Sequence, residues 1–552
     1  MQIGKVEYRI SLLTVSGALA WLAYSCTLVS REHHTNLQTF RDIISRGWIP
    51  FSTGIDLTDS QWRTWRSQAV YLLPYMILMV HLRRWLCGSG RMHRVSFTAL
   101  WSIMNVIILH GNGTFYLLAF TIVNYYGAKL LVRTRYMKVF TWIFSFAMLL
   151  LSKLWDDMGS LPYLQGLSST ISFLEESLRA IFGPTIFSVI NSYSGVYRWN
   201  KPFNLLFLRI ISYNCDVCDN ARNSASVDAK GEQKNRTIED GFLTYLCFLL
   251  YPPLYATGPL IHFEDFSAQL HTQRNSESAA KDRVNASSGW RLMFKCALYF
   301  LAMEFMLHFI HLHAISRNLH TIFHLYSKSV LYLPPWEVMA VGFYMLNYTY
   351  MKFLIIWRSA MSVAKMDEIE TIDNMNRCVC NNYTFVGFWR SWHRSLHMWV
   401  LRYMYHPMGG HSRRLLIVWP IFIFIGLWHD LEWTWLAWAL FNCAFMTFEI
   451  SVSKAFKGSS LQRRCEDGLG KWLGLLAIVL NIYLLILSNL AILYGFQGSY
   501  DFVRAFLFPP PPGTLMDSLV SNVIGLWWVV SGIILMLYRR QEEKLRGDKK
   551  TF

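Results

Sequence analysis

LLIVWPIFIFIGLWHDLEWTWLAWALFNCAF, residues 415–445, decides the fold class of this chain. Two continuous apolar arms flank a short turn that carries His429, Asp430 and Glu432. Neither arm shows the short alternating pattern of a membrane β-barrel strand. Both read as helices of a membrane bundle. Between them His429 is an isolated polar point. An ionisable side chain at membrane depth is costly, and its default reading is functional. Histidine is also the side chain suited to moving protons near neutral pH.

Working outward, apolar runs of similar length recur near residues 10–30, 137–155, 290–314, 336–357, 472–494 and 519–537. The 552 residues are 53% hydrophobic and 16% charged, less charge than a soluble chain of this length carries. The class is an all-α polytopic membrane protein with roughly 10–12 transmembrane or re-entrant helices around a central tunnel. The first run reads as a signal anchor and first span. Two shorter pieces on either side of His110–Gly113 have basic flanks, so an even number of crossings or a re-entrant pair fits. Residues 241–262 are apolar but broken by Pro252, Pro253, Gly258 and Pro259, which is tolerated at depth only where protein or a cavity satisfies the backbone.

The net charge of +17 does not indicate nucleic-acid binding. Its basic residues form short clusters between apolar runs, such as Arg83, Arg84, Arg91 and Arg94, as the positive-inside rule describes. The partners implied are membrane lipids. The basic C-terminal tail is expected to be cytosolic. Lys549 and Lys550 stand where a dilysine retrieval signal would, which implies the endoplasmic reticulum membrane. The ten cysteines show no disulfide framework, and no metal site is assigned to them.

A second stretch, FWRSWHRSLHMWVLRYMYHPMGG at residues 388–410, is too charged to be a lipid-facing span. Read as one helix, it puts Trp392, Leu396 and Trp399 on one stripe and Trp389, His393 and His397 on another. The aromatics and arginines suit an interfacial amphipathic helix. The histidine-centred face and the terminal Pro407, Gly409 and Gly410 ask for more.

These two stretches together resemble the membrane-bound O-acyltransferase family, and within it the Gup-type branch that remodels glycosylphosphatidylinositol (GPI) anchors and was once named for glycerol uptake. Hedgehog acyltransferase-like proteins stand nearby. FLRIISYN at 207–214, YPPLYATGPLIHFEDF at 251–266 and NMNRCVCNNY at 374–383 extend the likeness. The resemblance implies N-terminal membrane helices over 1–200, a catalytic core over 201–450, and C-terminal helices with a basic tail over 451–552. It puts His429 at the family's essential histidine and His393 at a second position that varies among Asn, Asp and His. It also implies acyl-CoA as co-substrate, no resident cofactor, and a lyso-GPI or related lysolipid as acceptor.

The residues fit such chemistry. His429 as general base would take a proton from an acceptor hydroxyl, and His393 would donate to the oxyanion. No serine or cysteine nucleophile with a sequence-adjacent base stands out, which favours direct transfer. Arg390, Arg394 and Arg402, with Trp389 and Trp392 beside them, are candidates for binding acyl-CoA, since guanidinium suits phosphate. Topology charge explains these arginines equally well. Glu432, three residues beyond His429, is placed to share its face and orient the imidazole. A proton-coupled glycerol transporter, or an acyltransferase acting on another lysolipid or on a protein, is the alternative.

Overall fold

With no water to satisfy it, backbone in lipid closes its hydrogen bonds within a helix or a closed barrel. Every regular element described here is a helix; besides these there are two isolated β-bridges. The computed structural model describes residues 4–154, 195–200, 202–227, 240–272, 286–317, 334–456, 469–508 and 513–546, with residues 176 and 180. Most of 162–197 and the dilysine positions lie outside these residues.

The principal helices are α1 (Lys5–Asn36), α2 (Ser60–Gly88), α3 (Arg94–His110), α4 (Thr114–Leu131), α5 (Met137–Leu154), α6 (Phe203–Val227), α7 (Phe242–Leu250), α8 (Ala286–Phe309), α9 (Pro335–Met366), α10 (Phe385–Ser391), α11 (Arg394–Val400), α12 (Arg414–His429), α13 (Trp433–Phe456), α14 (Leu469–Leu507) and α15 (Leu515–Leu545). Among the described residues, seven helical segments are long and apolar enough to cross a membrane. The roughly 10–12 transmembrane or re-entrant helices expected also include long helices that these seven leave out because they carry charge: α2 includes Arg63, Arg66, Arg83 and Arg84, and α9 includes Lys352, Arg358 and Lys365. α3 and α4 are separated only by a helical turn, Gly111–Gly113, and Gly111 adopts a positive φ of 53° that a side chain would strain.

α9 is the central strut, packing on α1, α2, α8, α14 and α15. The broken segment after α7 is satisfied as its burial demands. Pro253 has no N–H to give the Leu249 carbonyl, so the buried Arg209 of α6 donates to it at 2.8 Å, and also to the Leu254 carbonyl. At the arginine-rich end, buried Asp367 accepts from Arg83 and from the Tyr251 hydroxyl, while Arg94 donates to its carbonyl. This node ties α2, α3, the broken segment and α9 into one body.

Candidate active site

α12 and α13 form a tight hairpin because Gly426 lets their backbones close. A Cβ there would lie 2.9 Å from the Trp435 carbonyl oxygen and 3.0 Å from the Ala439 Cβ. Gly426→Ala is therefore expected to cost about 1–3 kcal/mol by overpacking, read as a lower thermal midpoint of the detergent-solubilised protein.

The hairpin sets His429 at the last turn of α12. Its carbonyl, one of the helix end's orphan acceptors, takes a 2.9 Å hydrogen bond from Lys153 Nζ of α5. Lys153 also lies 3.5 Å from Asp430. The imidazole is oriented by rings: it stacks on Trp435 at 4.5 Å between centroids and 14° between planes, with Trp428 at 4.7 Å and Trp438 at 6.1 Å. Glu432 lies in the interhelical turn with an exposed side chain, and its carbonyl accepts from Trp435 N–H. α12 ends at His429 and does not carry Glu432 onto the same helical face, and the ring stacked on the imidazole is that of Trp435.

His393 departs from the single helix read across 388–410. α10 ends at Ser391 and α11 starts at Arg394, and His393 between them is left-handed, with φ 50° and ψ 47°. Few non-glycine residues adopt this conformation, and only surrounding structure sustains it. Here Met375 forms a β-bridge with Trp392. Asn374 accepts Arg394 N–H on its carbonyl at 3.2 Å and Ser395 N–H on its side chain at 3.0 Å. Trp357 of α9 packs on the imidazole at 4.5 Å and Trp428 faces it at 6.3 Å. The His393 Nδ1 is buried without a hydrogen-bond partner among the described residues.

Asn374→Ala removes a cap-type bond, worth about 1 kcal/mol of stability. If Asn374 positions His393, kcat falls severalfold while donor KM stays put, separating placement from binding.

Both histidines line one cavity of about 1810 Å³, bounded by α1, α9, α10, α12, α13, α14, α15 and the 378–382 segment. This exceeds the roughly 300–1,000 Å³ of ordinary small-molecule pockets. Trp389 and Trp392 also line it, along with Trp357, Trp435 and Trp438. Lys352 adds a charge to this mostly apolar wall. It is held by Asp59 at 2.7 Å, whose carboxylate also accepts the Tyr348 hydroxyl at 2.9 Å.

The arginines lie elsewhere. Arg390 is exposed, and Arg394 is half-buried at the start of α11. Arg402 is committed to Asp216 at 3.0 Å and Glu264 at 2.7 Å. The Tyr403 hydroxyl donates to the same Asp216 at 2.9 Å. Burial lifts the Asp216 carboxyl to about 6 against the pull of Arg402. This clamp pins the turn after α11 to α6, and none of these three arginines borders the cavity.

Lys352 and Asn374 were missed by the motif reading. A lysine inside the apolar run 336–357 is itself a signal of function at depth. The cap made by Asn374 has no local signature, since it acts across sequence.

The model of the MBOAT, membrane-bound O-acyltransferase, family matches residues 92–495. The chain is similar to the membrane-bound O-acyltransferase GUP1 of Saccharomyces cerevisiae, 27% identical over 98% of this chain and 91% of that protein. It is 25% identical to gup1 of Schizosaccharomyces pombe over 99% and 90% of the two chains. It is 26% identical to the protein-cysteine N-palmitoyltransferase HHAT of Mus musculus, over 52% of this chain and 56% of that one.

Proposed function

The chain belongs to the membrane-bound O-acyltransferase family and is an acyltransferase, and from that premise we propose that it moves a fatty acyl group from acyl-CoA to a hydroxyl of a lyso-GPI lipid. The observation that carries this reading is the shared wall: His393 and His429, both in ring contact with Trp428, border a single large apolar cavity. An acyl chain and a lysolipid are both mostly apolar, and each presents one polar reacting group to the histidines.

In the proposed step, His429 takes the hydroxyl proton as that oxygen attacks the thioester carbonyl. The C–O bond forms, and the carbonyl electrons move onto oxygen, where His393 donates a hydrogen bond. The C–S bond then breaks, and the departing thiolate recovers the proton from His429. No covalent acyl-enzyme and no resident cofactor enter. Lys153, by holding the His429 carbonyl, fixes the ring against Trp435 while the proton is exchanged.

The acceptor is a lipid in this reading because the Gup-type relatives align along nearly the whole chain, whereas the protein-acylating relative aligns along about half of it. The membrane is that of the endoplasmic reticulum, with the C-terminal tail cytosolic. The test is purified protein with labelled acyl-CoA and a panel of lyso-GPI, lysophosphatidylcholine, glycerol and a peptide N-terminus. Preferential esterification of lyso-GPI is expected, together with lyso-anchors accumulating in cells that lack the protein. Preferential labelling of the peptide, or anchors unchanged in such cells, would overturn the acceptor.

A further inference from the structure

A second cavity, of about 440 Å³, lies between α8 and α9 near the arginine-rich end, beyond the turns of α9 that line the large cavity. It is lined by Arg291 and Lys295 of α8, Arg358 and Lys365 of α9, and Thr371 and Asp373 of the segment that follows. Four cations thus meet one carboxylate. Arg358 is spoken for by Asp373 at 2.8 Å, and Lys365 reaches Glu370 at 3.4 Å. Arg291 makes only a 3.3 Å bond to the Ser287 carbonyl, and neither it nor Lys295 forms an ion pair among the described residues. The Thr371 hydroxyl is buried with no hydrogen-bond partner among them. The groove therefore holds surplus positive charge and an unspent hydroxyl.

We propose that this groove binds the phosphate of an anionic phospholipid headgroup and braces the segment that holds His393. α8 argues for a lipid as the source of the phosphate. Beside the basic residues the helix exposes Phe294, Leu298, Leu301 and Phe305, an apolar strip along which acyl chains can lie. A phosphate seated at the end of such a strip is how basic pockets between membrane helices take anionic headgroups. The bracing follows from connectivity. Asp373, anchored by Arg358, directly precedes Asn374, which caps α11, and Met375, which bridges to Trp392. Trp357, next to Arg358, packs on His393 itself. A headgroup that draws α8, α9 and this segment together holds the left-handed turn at His393. The bracing rests on the catalytic reading above; the binding does not.

The experiment uses the full-length protein in nanodiscs of phosphatidylcholine with or without phosphatidylinositol. Lipid retained after extraction is read by native mass spectrometry, and acyl transfer is read in parallel. Wild type is expected to retain phosphatidylinositol. The variant Arg291→Glu/Lys295→Glu changes only exposed residues of one helix and should lose roughly ten- to thirtyfold of that retention. Lys454→Glu, an exposed charge reversal on α13, should retain it like wild type. Equal retention by the double variant, equal loss by Lys454→Glu, or displacement of the lipid by coenzyme A would overturn the lipid site. Phosphatidylinositol should also speed acyl transfer in wild type and not in the double variant. Retention without that stimulation overturns the bracing. Absence of transfer in every sample, with retention intact, counts against the catalytic reading and leaves the site standing.

Discussion

His429→Ala is expected to lower kcat by about 10²–10⁴-fold, the usual contribution of a positioned general base. An unactivated hydroxyl is a poor nucleophile, and the groups packed on the His429 imidazole are the rings of Trp428, Trp435 and Trp438, with the nearby Lys153 bonded to the His429 carbonyl; the other base on the wall, His393, serves the oxyanion in the proposed step. The variant should stay folded, because the backbone restraints on His429 are the Lys153 bond and the hairpin closure at Gly426, and neither uses the imidazole. Donor binding should persist as well, since the remaining wall is apolar. The measurement is initial rate against acyl-CoA concentration, with thermal midpoints as the folding control. His429→Gln, which keeps bulk and a hydrogen-bonding end without a usable base, should fall as far as alanine. Rates within threefold of wild type in either variant would remove His429 from the chemistry.

The fold class was legible because its cause is local. A continuous apolar run declares a helix, and the turn His429–Glu432 declares the hairpin. The position of His429 was legible for the same reason: a polar residue between two such runs has nowhere to go but the interior. What the sequence could not show was set by contacts far along the chain. The break at His393 is invisible in FWRSWHRSLHM, whose residues suit one helix. It exists because Asn374 and Met375 arrive from the other side of α9's end and take the hydrogen bonds a continuous helix would have used. Glu432 lies off the helical face of His429 for the complementary reason, since a periodicity argument assumes the helix continues and α12 stops at His429. Arg402 read as free charge because Asp216 and Glu264, its partners, lie well over a hundred positions away. The cavity itself draws on α1, α14 and α15 as well as the motif region, so helices from both ends of the sequence help build its walls.

Substitutions at His393 should separate its two roles, and their order follows from backbone geometry as much as from chemistry. At φ 50° the residue is left-handed, a conformation in which asparagine is enriched and β-branched side chains are outliers. His393→Asn keeps the turn and supplies an amide donor, so it should hold kcat within about tenfold of wild type. His393→Ala fits the turn without a donor, and a lost oxyanion donor costs about 10²–10³ in kcat. His393→Val should show that loss and a further destabilisation of about 1–3 kcal/mol from backbone strain. The measured quantities are kcat, donor KM and thermal midpoint across the series. If asparagine falls as far as alanine, His393 exchanges a proton and does not merely donate a hydrogen bond, because the amide can do only the second. If alanine keeps full activity, the oxyanion is stabilised elsewhere and the shared wall is coincidental. The pair His393→Ala/His429→Ala then tests whether the two act as a unit. Residues serving one transition state are strongly non-additive, so the double variant should be about as slow as His429→Ala alone. Full additivity of the two losses would place the histidines in separate steps.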